Sequence, residues 1–290
     1  MDGIKDMMKY YISFGMNIVN FVLHLLGIFL LWKTYNWRQI TSQQLFIFHI
    51  SISNCTPNFI LILFRLIYLM VNNRQLMFYA FCVHFAFLRV RYLLMVFLTL
   101  DRLIGVILNF KYRVYWSVER TKSLLTIVWI LGASFVVSYV LLYWKCGKWY
   151  QSDEYFVVNA TFAFFFLFLA LLTYSFIFLQ YRKSNDLRNN TIRASRGGGS
   201  GTINNSVTFL VFKNRFYISL LIVFTYLVFN IIPICVAFLL IKEYDDTYNY
   251  SLLINWMLVQ LGTTADAAVY IFMQKVIRRQ FLLITRSCFC

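Results

Sequence analysis

Charge is the first thing this chain lacks. Of 290 residues only 13% are Asp, Glu, Lys or Arg, against roughly 25% in a soluble globular domain. With 61% hydrophobic residues, that scarcity excludes an ordinary soluble surface, since soluble proteins rarely expose large apolar patches. Proline occurs twice and glycine 11 times, so little interrupts long helices. Six cysteines in a chain this long make no disulfide framework. Acid is scarcest: 11 Asp+Glu stand against 27 Lys+Arg, a formal charge of +16. Elsewhere such an excess points to nucleic acid. At a mean hydropathy of +0.67 it asks instead which side of a bilayer holds the cations, and no nucleic-acid partner is expected. The first apolar run lacks a small-residue cleavage site and is longer than a signal core, so it reads as a retained anchor.

What is present is a series of apolar runs. Crossing about 30 Å of hydrocarbon takes about 20 helical residues, and seven segments qualify: 11–32, 44–71, 77–107, 123–144, 155–181, 216–241 and 250–273. The alternating segments of about 10 residues that build a membrane barrel are absent. The expected fold is an all-α membrane protein, a seven-transmembrane helix bundle over 11–273. An extracellular tail covers 1–10 and a cytoplasmic segment 274–290. Lys and Arg stay in the cytoplasm. With the amino terminus outside and the carboxyl terminus inside, 18 cations fall on the inner side, six outside and three within spans.

The third run ends in Leu100-Asp101-Arg102-Leu103 and continues to Phe110-Lys111-Tyr112. Asp101 can hold Arg102 by a charge-assisted bond; read alone, the two are also simply charges at a helix end. The second run carries His49-Ile50-Ser51-Ile52-Ser53-Asn54, and Trp129 lies midway along the fourth. Pro233 interrupts the sixth, where a missing amide hydrogen bond makes a hinge. The seventh carries Asp266-Ala267-Ala268-Val269-Tyr270. Beyond it, Ile277, Phe281 and Ile284 form an apolar stripe beside Lys275, Arg278 and Arg279, the pattern of a short amphipathic eighth helix lying on an anionic leaflet. Cys288 and Cys290 suit palmitoylation, or stay as an unmodified reduced tail.

Together these landmarks resemble the rhodopsin-like G-protein-coupled receptors over the whole chain. Asp101-Arg102 stands where that family has Asp-Arg-Tyr, with Leu103 for the Tyr; Phe110 and Tyr112 keep the register of its second inner loop, with Asn109 for the Pro. The resemblance implies a plasma-membrane receptor that passes an extracellular ligand's signal to a heterotrimeric G protein. Its coupling residues are then Asp101, Arg102, Phe110 and Tyr112, with Pro233 as hinge and Tyr174 as active-state partner of Tyr270. It also implies a disulfide between Cys82 and Cys146, although Cys82 lies five residues, about 7.5 Å at helical rise, deeper than the family's cysteine. Other departures are Ile231 for the toggle Trp, no proline near Phe166, no match to the family's first-helix Asn position, and Lys213 for the sixth-helix acid.

Ionisable residues at membrane depth are costly and usually find partners. Arg91 is 11 residues, about three turns, before Arg102 and shares its face. Where the family lines a sodium pocket, this chain has Asn54, Arg91 and Asp266. Two arrangements are open: Arg91 pairs with Asp266 and replaces sodium, or Arg91 turns to water and Asp266 pairs with Asn54. His84 lies five turns before Arg102, at a frequent ligand-contact position of the family that an amine receptor would fill with Asp. With Arg65 and Arg89 nearby in depth, a small, non-aminergic ligand, anionic or neutral, is expected; structural hydrogen bonding is the alternative for all three. There is no His-Glu-x-x-His, no Gly-x-Ser-x-Gly and no metal-ligand cluster, so no catalysis, cofactor or metal is expected. The rival classes are a seven-helix transporter or channel, which calls for inverted repeats, and a ligand-free receptor-like scaffold.

Overall fold

A computed structural model describes residues 2–34, 40–71, 74–108, 116–146 and 248–273, and helical residues at positions within 161–182, 221–232 and 277–283. Five long helices are continuous: α1 Asp2–Thr34, α2 Ser42–Val71, α3 Arg74–Leu108, α4 Val118–Cys146 and α5 Tyr248–Met273. The last of these carries the seventh apolar run. No strand occurs among the described residues. Stretches of four helices are long and apolar enough to cross a membrane: Tyr11–Thr34, Ser42–Val71, Phe78–Gly105 and Val118–Leu141.

Local chemistry sets where the helices begin. Before α2, Thr41 and Gln44 form a capping box: the Gln44 amide donates to Thr41 Oγ1 at 3.4 Å and the Thr41 amide to Gln44 Oε1 at 2.8 Å. Two otherwise orphaned backbone donors are thereby satisfied. Before α4, Ser117 Oγ accepts the Arg120 amide at 3.3 Å, an N-cap, and Lys122 pairs with Glu119 at 2.8 Å on the exposed first turn. These polar starts lie outside the apolar runs, so both helices begin earlier than hydropathy alone indicates. α1 begins at Asp2, within the segment 1–10 that precedes the first apolar run.

Packing follows chain order and then closes. α2 packs against α1 and α3, α3 against α4, and α5 returns to lie on α1. The links between α1 and α2 and between α3 and α4 lie at one end, here called the basic end. Near it an apolar core gathers Leu30, Phe46, Ile47, Ile50, Val90, Leu94, Leu98, Val128 and Val269. Ile277, past α5, is buried in the same core with Phe281 against it, while Arg278 and Arg279 are exposed. α3 and α4 approach closely at Gly132, where any Cβ would collide with Val90.

The molecule is inside-out by soluble standards. Trp32, Leu69, Met70, Ile130 and Trp144 are exposed, whereas Asn17, Asn20, His24, Arg91, Gln260 and Asp266 are buried. An apolar shell around a polar interior is stable when the surrounding solvent is lipid and backbone groups are satisfied within helices.

Candidate functional site

The buried polar interior is built from α1, α2, α3 and α5. On α1, Ser13, Asn17, Asn20 and His24 are all buried. Their spacing of four, three and four residues puts them on one face. Asn20 Nδ2 donates to the Gln260 carbonyl at 3.1 Å and also contacts Gln260 Oε1, and Thr264 donates to Asn20 Oδ1. One turn further along, the His24 Nε2 lies 3.0 Å from the Thr263 carbonyl. Thr263 and Thr264 also return their hydroxyls to the Gln260 carbonyl at 2.7 and 3.0 Å. This seam joins α1 to α5 by hydrogen bonds, which hold membrane helices together where lipid gives no hydrophobic drive.

At the centre, Arg91 Nη2 lies 2.5 Å from Asp266 Oδ2, with each side chain about 1% exposed. Thr225, from the sixth apolar run, donates to Asp266 Oδ1 at 3.3 Å. Three runs therefore meet on one carboxylate. Of the two arrangements open from the sequence, the structure has Arg91 inward and on Asp266. Asn54 is buried, but its Nδ2 has no hydrogen bond to any described residue. Its carbonyl instead accepts Asn58 Nδ2 at 2.7 Å, one residue past Pro57 within α2.

No family model matches this chain, and no curated protein does.

The remaining site residues divide. Arg65 reaches α1 and donates to Ser13, whereas Arg89 Nε donates to Tyr139 of α4 at 3.1 Å. His84 and Arg89 are five residues apart, about 140° around a helix, so their side chains leave α3 in different directions. His84 shares the field of Arg65 and Arg91. Trp129 Nε1 donates to His49 Nδ1 at 2.9 Å, with Phe87 edge-on to the indole. Because Nδ1 accepts, the His49 proton sits on Nε2.

The expected Cys82–Cys146 disulfide is not formed: Cys82 is a free, buried thiol. It packs with Ala86 and Tyr139 between α3 and α4. Tyr139 is seven residues from Cys146, about 10.5 Å along the helix, beyond the reach of a disulfide.

Asp101 is buried on α3 and Tyr174 is buried in the fifth run. The side chains of Arg102, Cys146 and Tyr270, and residues Phe110, Tyr112, Pro233, Cys288 and Cys290, lie outside the described residues. Sequence reasoning missed the α1 face. Its signal was available: four polar residues at helical period inside an otherwise apolar run.

Proposed function

We propose that this chain is a seven-helix plasma-membrane receptor of the rhodopsin-like type, with its amino terminus outside and its carboxyl terminus in the cytoplasm. It carries the signal of a small, non-aminergic extracellular ligand to a heterotrimeric G protein. The observation that carries the reading is the Arg91–Asp266 ion pair. It links α5 to α3, which carries Asp101-Arg102 toward its carboxyl end, and Thr225 brings a third run onto the same carboxylate. A ligand that binds one arrangement of these helices better than another shifts their equilibrium, and the basic end, with Arg102, is where a G protein would dock. The bias of Lys and Arg toward that end supports the orientation.

The test is G-protein activation in cells expressing the chain with a promiscuous G protein, screened against a ligand library. An active ligand, or constitutive signalling, that is lost on Arg102→Ala at unchanged surface expression supports the receptor. A signal indifferent to Arg102→Ala overturns it. A second reading, a transporter or channel, is favoured by the polar seam running from Ser13 to Asp266, since such residues also mark solute pathways. Solute flux in proteoliposomes would decide for it.

A further inference from the structure

At the basic end the described exposed charge is nearly all positive. Lys33 lies in the last turn of α1, Glu119, Arg120 and Lys122 in the first turns of α4, and Arg278 and Arg279 past α5; all six are exposed. Five cations stand against one acid, and that acid, Glu119, is already held by Lys122 at 2.8 Å. Lys33, Arg278 and Arg279 belong to neither described ion pair. Leu31 and Ile277 are buried in one core. Lys33, two residues past the first, and Arg278, one past the second, therefore share a rim of the bundle.

Apolar side chains turn outward beside these cations. Trp32, next to Lys33, is 63% exposed, and Leu282 and Leu283 are 49% and 59% exposed. Residues 277–279 and 281–283 are helical. Ile277 is buried in the core and Phe281 packs against it, so these members of the stripe that the sequence suggests for the leaflet are turned to the protein instead. On the outward side, Leu282 stands four residues from Arg278 and Leu283 four from Arg279, the spacing of neighbours on a helix. A face that pairs leucine with arginine suits the boundary between water and hydrocarbon, where acyl chains and phosphates are both within a side chain's reach. Trp32 beside Lys33 marks the same depth on α1. A protein docking from the cytoplasm would account for the cations alone; the leucines and Trp32 favour lipid.

We infer that Lys33, Arg278 and Arg279 engage the headgroups of anionic phospholipids, and that this contact holds the segment carrying Ile277 and Phe281 against the bundle. Headgroup phosphates accept charge-assisted hydrogen bonds from both guanidinium groups and the ammonium, while Leu282, Leu283 and Trp32 meet the acyl chains. The inference rests on the chain lying in a bilayer and not on receptor function. Its test uses no G protein, so either can fail alone.

The full chain is placed in phosphatidylcholine nanodiscs with and without phosphatidylserine, and hydrogen exchange is read by mass on the peptide covering 277–283. A segment held down opens less often and exchanges more slowly. Phosphatidylserine should slow this peptide at least about fivefold, the weight of one cation near an anionic surface. The slowing should vanish in about 1 M salt, where the Debye length falls to about 3 Å. Arg278→Gln combined with Arg279→Gln should lose most of it while keeping the native rate in phosphatidylcholine alone, and Lys33→Gln should lose part. Lys122→Gln, whose cation is already taken by Glu119, should respond as the native chain does. Exchange indifferent to phosphatidylserine overturns the contact, as does a native response in the double arginine variant or an equal loss in Lys122→Gln. The same slowing by inorganic phosphate in phosphatidylcholine discs would assign the cations to a free ion and overturn the lipid.

Discussion

Arg91 of α3 and Asp266 of α5 meet at 2.5 Å inside the bundle, although α3 packs on α2 and α4 while α5 packs on α1. The long guanidinium side chain spans what backbone packing does not. Such a pair is weak evidence for stability in itself, because desolvating both charges offsets much of their attraction. Removing one partner is a different matter, since the other stays buried and charged.

Arg91→Ala should therefore destabilise the folded bundle by about 3–5 kcal/mol, seen as lost surface expression and a lowered thermal midpoint. Asp266→Asn should also destabilise, because the amide keeps one acceptor oxygen where the carboxylate offers one each to Arg91 and Thr225, and it removes the negative charge facing Arg91. The exchange of Arg91→Asp with Asp266→Arg should recover part of the loss. A double exchange no better than its single members would refute the pairing as the reason for the cost.

The pair was legible in the sequence because depth and helical phase are both countable: Arg91 lies three turns from Arg102, and Asp266 is the sole acid of the seventh run. Helix number and approximate bounds followed from hydropathy for the first four runs, whose spans recur at Tyr11–Thr34, Ser42–Val71, Phe78–Gly105 and Val118–Leu141. What was not legible depended on rotation. The directions of Arg65 and Arg89 could not be read from depth alone, and only packing shows Arg65 on Ser13 and Arg89 on Tyr139. The capping box at Thr41 and Gln44 extended α2 beyond its apolar run because hydropathy is blind to caps. Asn17 and Asn20 were overlooked because each alone is a minor interruption; only their common face with His24, opposed to Gln260 and Thr263, makes a seam.

Trp129 and His49 should behave as a unit. The indole donates to His49 Nδ1 at 2.9 Å where α2 meets α4. Trp129→Phe keeps the ring and removes the donor, and should cost about 0.5–1.5 kcal/mol. His49→Phe should cost little more when added to it. A double-mutant cycle on thermal or denaturant unfolding would show a coupling near the roughly 0.6 kcal/mol typical of membrane hydrogen bonds; additive losses would break the link.

Cys82 should react as a thiol once the chain is unfolded. In protein denatured without reductant, maleimide labelling at Cys82, read by peptide mass, should equal that after reduction, because the thiol is free and packed against Ala86 and Tyr139. Cys82→Ala should cost only about 1 kcal/mol, the loss of one small buried group. Labelling that appears only after reduction would restore the disulfide.

Gly132 tests the closest approach between α3 and α4. It is buried, and a Cβ there would run into Val90, which itself belongs to the apolar core near the basic end. Packing between membrane helices gains from small residues that let backbones approach, and a forced methyl displaces that contact at a cost of about 1–3 kcal/mol. Gly132→Ala should accordingly lower the thermal midpoint. Val90→Ala alone should cost less than a Leu-to-Ala truncation, and in combination it should relieve much of the Gly132→Ala penalty by removing the methyl that is struck. Were Gly132→Ala neutral, or its penalty untouched by Val90→Ala, the spacing of these two helices would be set elsewhere along the interface.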